Sequence, residues 1–247
     1  MRRTLIATLA AVAAAPAFAN IMVTFEEPEY FTGSLDGQAG GGITWQEFEP
    51  DSDAWVSAPG FDSSRAGLWE VSPNGGDSDG DDMLGLFDNA QSAIFTVSAM
   101  TYVSLEPNRP NGTSRAGHFF VSDVDFIGTA MAFLENGNVG YWGGGGFFIN
   151  DTGVAIQYEQ WVPIEIQIDY DADTMEMYYD GVMVAADTLT GDGSYADQLD
   201  IWLDTVAIAD NPNPGDYMLI DDIVITPAPG ALALMGLGGF VAIRRRR

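Results

Sequence analysis

Apolar and polar residues alternate with a period of two along most of this chain, and residues 20–226 carry no convincing helical repeat. The longest alternation covers residues 93–105. Ala93, Phe95, Val97, Ala99 and Val103 fall on one face, while Ser92, Thr96, Ser98, Tyr102 and Ser104 fall on the other. A strand sends successive side chains to opposite sides of its sheet, so this pattern predicts a strand buried on one face only. Shorter runs predict strands at 21–26, 42–48, 54–57, 67–71, 118–126, 130–135, 147–149, 199–204 and 218–225. Clusters of Gly, Asn and Asp separate them, and a flexible glycine run spans 143–146. Many short strands with turn residues between them predict two packed antiparallel sheets.

Residues 161–187 carry the most specific pattern and read as three consecutive antiparallel strands. Ile164, Ile166, Ile168 and Tyr170 alternate with Glu165, Gln167 and Asp169. After an Asp171-Ala172-Asp173 turn, Met175, Met177 and Tyr179 return on the inward side. Asp180-Gly181 then marks a tight turn, because glycine accepts positive φ without steric cost. Trp161, Ile164, Ile166, Asp169, Tyr178, Asp180, Gly181 and Val182 together resemble the late strands of concanavalin A-like and laminin-G-like domains. Residues 218–225 are similar to the closing strand of such domains. The resemblance implies an all-β, two-sheet antiparallel jelly-roll sandwich, with one sheet face available to a ligand and calcium carried on loops.

The two ends read as addresses. Arg2 and Arg3 precede an apolar run at 5–15, Pro16 breaks it, and Ala17-Phe18-Ala19 has the form of a signal-peptide cleavage site. The expected divisions are a signal peptide at 1–19, a sandwich domain at 20–226 and a tail at 227–247. In the tail, Pro227, Pro229 and Gly230 precede an uncharged segment, which ends at Arg244, Arg245 and two further arginines. As a helix the segment would be roughly 20 Å long, short of the ~30 Å hydrocarbon core. In pattern and order this tail resembles the PEP-CTERM sorting signal, although Ala228 stands where that family has glutamate. The resemblance implies export by a diderm bacterium to the cell surface or extracellular matrix. It also implies transient membrane insertion of the apolar helix, and cleavage by a sorting protease-transpeptidase of the exosortase type.

Charge narrows the partners. The body holds three arginines, no lysine and all thirty-six acidic residues, a formal −33. Such a field repels nucleic acid, anionic lipid and acidic polysaccharide, and it attracts cations. No cysteine is present, which removes disulfides and thiolate metal sites. A histidine-based zinc site is excluded by the single His118.

Two candidate sites follow. In residues 199–204, Leu199, Ile201 and Leu203 point inward by alternation, leaving Asp200, Trp202 and Asp204 outward. Glu165, Gln167, Glu176 and Tyr178 are expected to face the same way from a neighbouring hairpin. An aromatic ring flanked by carboxylates and an amide suits a sugar, whose C–H face stacks while its hydroxyls bond to the acids. Tyr141-Trp142 is a second ring pair, expected to pack on the sandwich. A calcium-type loop is the other candidate, with Asp77, Asp79, Asp81 and Asp88 at positions 1, 3, 5 and 12. Position 6 is Asp82 instead of glycine.

Catalytic motifs are lacking. No serine stands in a nucleophile elbow beside the one available histidine. Glucanases of related folds carry a Glu–Asp–Glu alternation, whereas Glu165, Gln167 and Asp169 break it. The expected role is therefore a non-catalytic glycan or exopolysaccharide binding module. A polysaccharide hydrolase and a purely structural matrix protein are the alternatives.

Overall fold

The computed structural model describes residues 20–47, 54–70, 81–87, 94–104, 115–123, 128–144, 148–190, 198–203 and 217–227. In chain order the strands are β1 (Ile21–Val23), β2 (Gly33–Ser34), β3 (Ala39–Gly40), β4 (Ile43–Glu47), β5 (Ala54–Ser57), β6 (Ala66–Glu70), β7 (Asp81–Phe87) and β8 (Ile94–Ser104). They continue as β9 (Arg115–Ser122), β10 (Gly128–Leu134), β11 (Asn138–Gly143), β12 (Phe148–Ala155), β13 (Trp161–Asp169), β14 (Thr174–Tyr179), β15 (Val182–Asp187), β16 (Gln198–Leu203) and β17 (Tyr217–Pro227). The described residues form no helix.

The strands form two antiparallel sheets. The larger runs β15-β14-β13-β8-β17-β6-β5-β2, with β1 also paired to β17. The smaller runs β12-β11-β10-β9-β16-β7-β4-β3. Strand β17 is long enough to serve two neighbours. Its first half pairs with β6, and its second half pairs with β1 beyond a register shift between Asp221 and Val224.

Between the sheets lies one continuous core. The larger sheet contributes Phe95, Val97, Ile164, Ile166, Met177 and Ile220, and the smaller contributes Trp45, Met83, Phe119, Val121, Met131 and Phe133. Trp45 meets the edge of Trp69 with centroids 6.1 Å apart, which ties the sheets together at this end. Burying each such side chain is worth about 1.5–3 kcal/mol.

The hairpin between β14 and β15 shows why the alternation was a good guide. Asp180 and Gly181 both take positive φ, 52° and 71°, as a two-residue type I′ turn requires. The turn sets Tyr179 opposite Val182 and keeps Met175, Met177 and Tyr179 inward. The strand expected over 21–26 is shorter, because Phe25 adopts φ 55° and leaves the extended path after Val23.

The structure departs from the sequence pattern in three places. Residues 81–87, placed within a calcium-type loop, are a strand hydrogen-bonded to β4 on one side and β16 on the other. Residues 138–143 form a strand that the alternation did not show, because Val139, Gly140, Trp142 and Gly143 are buried on both faces. Finally, the strand carrying Asp200 and Trp202 belongs to the smaller sheet, whereas the hairpin of Glu165 and Glu176 belongs to the larger one.

Candidate functional site

The outer face of the larger sheet presents four cross-strand rows, fixed by the register of β8 with β13 and β17 and of β13 with β14. Tyr102 lies opposite Trp161 and Leu219. Met100 lies opposite Pro163 and Asp221. Ser98 is opposite Glu165, which is opposite Tyr178. Thr96 is opposite Gln167, which is opposite Glu176. The inward neighbours of these residues are buried in the core, so alternation turns this whole set toward solvent, where most of it is half-buried.

The polar rows are internally bonded. Gln167 Nε2 donates to Glu165 Oε1 at 2.7 Å, and the Tyr178 hydroxyl donates to Glu176 Oε2 at 2.7 Å. That donated bond, followed by slight burial and the negative charge nearby, pushes the Tyr178 phenol up from its ordinary value. Both carboxylates are thereby held at defined positions along the face.

Aromatic rings occupy the other end. Tyr102 stacks on Tyr217 at 6.0 Å with planes 9° apart, and Trp161 meets Tyr102 edge-on at 5.7 Å. These three rings, with Pro59, Leu68 and Leu219, line a cleft of about 310 Å³. A larger cleft of about 470 Å³ adjoins the polar rows, lined by Phe61, Met100, Pro163, Glu165, Tyr178 and Asp222 among others. Phe61 also packs edge-on against Trp161 at 5.9 Å, so one ring connects the two clefts.

Phe61 is carried by the loop at 58–65, which is fixed at both ends. Asp221 is fully buried beneath it. Its Oδ2 accepts from the Phe61 amide at 2.9 Å and the Ser63 hydroxyl at 2.7 Å, and its Oδ1 accepts from the Asp222 amide at 2.8 Å. Burial pushes the Asp221 carboxyl up to about 6 against the opposing pull of these bonds. At the far end Glu26 accepts from the Ser64 amide and hydroxyl and the Arg65 amide, at 2.7, 2.6 and 2.8 Å. The Ser64 hydroxyl leads in holding the Glu26 carboxyl below its ordinary range. Gly60 lets the loop fold back, since a Cβ there would collide with the Arg65 carbonyl oxygen. The Arg65 guanidinium is taken up by Glu27 at 2.7 Å and the Tyr30 carbonyl at 3.3 Å.

The proposed sugar set is thus divided. Glu165, Gln167, Glu176 and Tyr178 stand together on the larger sheet in the expected register. Trp202 and Asp200 stand on the smaller sheet, at register positions opposite His118 and Phe120. Asp204, Asp77, Asp79, Asp88, Pro229, Gly230, Arg244 and Arg245 lie outside the described residues, as do the expected signal and sorting helices. Asp81 is the first residue of β7, and Pro227 is the last of β17, paired with Phe95. The Tyr141-Trp142 pair is split by alternation. Tyr141 packs toward the core and its hydroxyl donates to Asp187 at 3.1 Å, while Trp142 is buried on the opposite face with Phe120. Among the described residues no three acidic or histidine side chains converge as a metal site.

Sequence reasoning missed Tyr102, Trp161, Tyr217, Phe61 and Asp221 as site residues. Tyr102 stands near the end of one alternating run and Trp161 at the start of another, each on the solvent side, which was the available signal. Their meeting depends on the β8–β13 pairing across nearly sixty residues, and no local pattern contains it.

No protein-family model matches this chain, and no curated protein matches it in sequence. Solved structures do match in three dimensions. A sialidase aligns over 81% of this chain and 19% of its own length, at 13% identity and a TM-score of 0.52. The binding domain of Paraclostridial Mosquitocidal Protein 1 aligns over 84% and 48%, at 13% identity and a TM-score of 0.53. The cellulose induced protein Cip1 aligns over 80% and 97%, at 10% identity and a TM-score of 0.55. The likeness shows a fold. It is an antiparallel β-sandwich, and the chain spans less than half the length of the first two matches.

Proposed function

We propose that the outer face of the larger sheet is a glycan-binding surface and that the protein acts as a non-catalytic binding or adhesion module. One observation carries this reading: the Tyr102–Trp161–Tyr217 ring cluster runs, through Phe61, into a cleft lined by Glu165 and Tyr178. Sugar rings stack their C–H faces on aromatics and offer hydroxyls to carboxylates, so apolar area beside placed polar groups fits a saccharide chain. Anchoring of the 58–65 loop by Asp221 and Glu26 places Phe61 before any ligand arrives, which lowers the ordering cost of binding. Two of the matching folds bear names tied to carbohydrate, a sialidase and a cellulose-induced protein, which supports the ligand class.

A glycan array followed by calorimetry tests the proposal. Trp161→Ala is expected to weaken the best saccharide at least tenfold, and no binding by any sugar would overturn the reading. Reducing-end release from soluble polysaccharides that is abolished by Glu165→Gln or Glu176→Gln would replace it with a hydrolase. The terminal segments complete the proposal, as an export signal and a sorting tail that deliver the sandwich to the cell surface or matrix. Intact-mass measurement of cell-derived protein checks this part, and a C-terminus still ending in Arg247 would refute tail cleavage.

A further inference from the structure

Resting on the glycan reading of this face, we infer that the glycan is cationic: a polymer of amino sugars with free ammonium groups. Charge complementarity carries the inference. Glu165 and Asp222 line the larger cleft together, and among the described residues no lysine or arginine lines either cleft. The chain contains no lysine at all. Arg65, in the loop beside the cleft, is already paired with Glu27, so it does not neutralise the cleft's acids. Asp62 adds to the negative field, and its charge, after partial burial, helps push the Asp222 carboxyl up. An acidic saccharide entering here meets only repulsion, and a neutral one leaves the carboxylates without a counter-charge. An ammonium group relieves that repulsion and makes a charge-assisted hydrogen bond to Glu165 or Asp222. The neighbouring rings suit the same ligand, since Trp and Tyr faces attract cations as well as sugar C–H groups. The two demands fall in adjoining clefts joined by Phe61, so a chain of linked residues satisfies both at once.

The test compares oligomers of one linkage by calorimetry with the whole protein: β-1,4-glucosamine, its fully N-acetylated form, the neutral β-1,4-glucose oligomer and a uronic acid oligomer. At pH 6 and low salt the glucosamine oligomer is expected to bind about tenfold or more tightly than either neutral form, with the uronic acid oligomer weakest. Raising the salt should shrink that advantage, because exposed charges are screened. Glu165→Gln and Asp222→Asn should each lower the ratio of amino to neutral affinity several-fold. Equal binding of amino and neutral oligomers, abolished in both by Trp161→Ala, would overturn the charge inference and leave the glycan surface standing. No binding by any oligomer overturns both. Glucosamine binding that Trp161→Ala leaves intact, and that polylysine matches, is attraction to a polyanion and also overturns the inference.

Discussion

Around Tyr102 and Glu165 the outer face of the larger sheet keeps its side chains half-exposed, whereas around Phe120 and Trp142 the outer face of the smaller sheet is buried. Both are outward faces of strands that send their other side into the same core. On the buried face, His118 lies 5.4 Å from Trp142 and 6.2 Å from Phe120, and Ala130 completes the small cluster. On the open face the rings of Tyr102, Trp161 and Tyr217 lie beside carboxylates. Aromatic residues thus do opposite work in the two places. Their surroundings decide it: rings among apolar neighbours seal a second core, while rings beside acids stay half-exposed on the sheet face.

The largest effect that would break this comparison is on the sealed face. Phe120→Ala should destabilise the protein by about 3–5 kcal/mol, because it leaves a cavity that its strand neighbours cannot close. The matching change on the open face, Trp161→Ala, should cost less than about 1.5 kcal/mol and act mainly on binding. Chemical denaturation followed by circular dichroism measures both. If the two costs were reversed, the open face would be a structural seam and the ligand surface would have to lie elsewhere.

Asp221 supplies the intermediate effect, since it is a buried acid beneath the open face. Its carboxyl sits at about 6 in the fold, above the ordinary aspartate range of the unfolded chain near 4. The folded protein therefore holds that proton more tightly, and the stabilisation is complete below about pH 4 and is lost as pH rises through about 6. Allowing for solvent screening through the thin loop above it, the loss should be about 1–2 kcal/mol. Asp221→Asn should flatten this slope. Asp221→Ala should cost about 2–3 kcal/mol and weaken glycan binding as well, because the amides of Phe61 and Asp222 lose their acceptor. Thermal melts across pH 4–8 read the slope, and an unchanged slope in Asp221→Asn would remove Asp221 as its source. Glu26 acts in the opposite sense, since its lowered carboxyl stabilises the fold above the unfolded value and is lost only as pH falls through its folded one.

The contrast between the faces also explains what the sequence made legible. Strands buried on one side, such as β8, β13 and β14, announce themselves by alternation, and their inward residues were readable, as was the hairpin register of β13 with β14. Strands β7 and β11 are buried on both sides, so Met83 and Leu84, or Val139 and Trp142, follow no period of two. The acidic start of β7 then resembled a loop. Trp202 was grouped with Glu165 because alternation gives the face of a strand and says nothing of its sheet. The aromatic half of the candidate site needed the tertiary pairing of β8 with β13 and β17, and the loop holding Phe61 needed an acid 160 residues away in sequence.

The smallest effect sharpens the comparison most. Tyr178→Phe keeps the ring at the edge of the larger cleft and removes only the hydroxyl that donates to Glu176. On a half-exposed face that bond exchanges readily with water, so stability should change by no more than about 0.5 kcal/mol. Binding should respond differently. With the hydroxyl gone, Glu176 is no longer held against the ring, and the saccharide loses an ordered acceptor beside its stacking surface. A few-fold loss of affinity with an unshifted melting temperature would separate recognition from packing on this face. No comparable separation is available at Phe120, where the ring is wholly buried and its removal acts on the fold. An affinity unchanged by Tyr178→Phe would confine recognition to the aromatic rows around Tyr102 and Trp161.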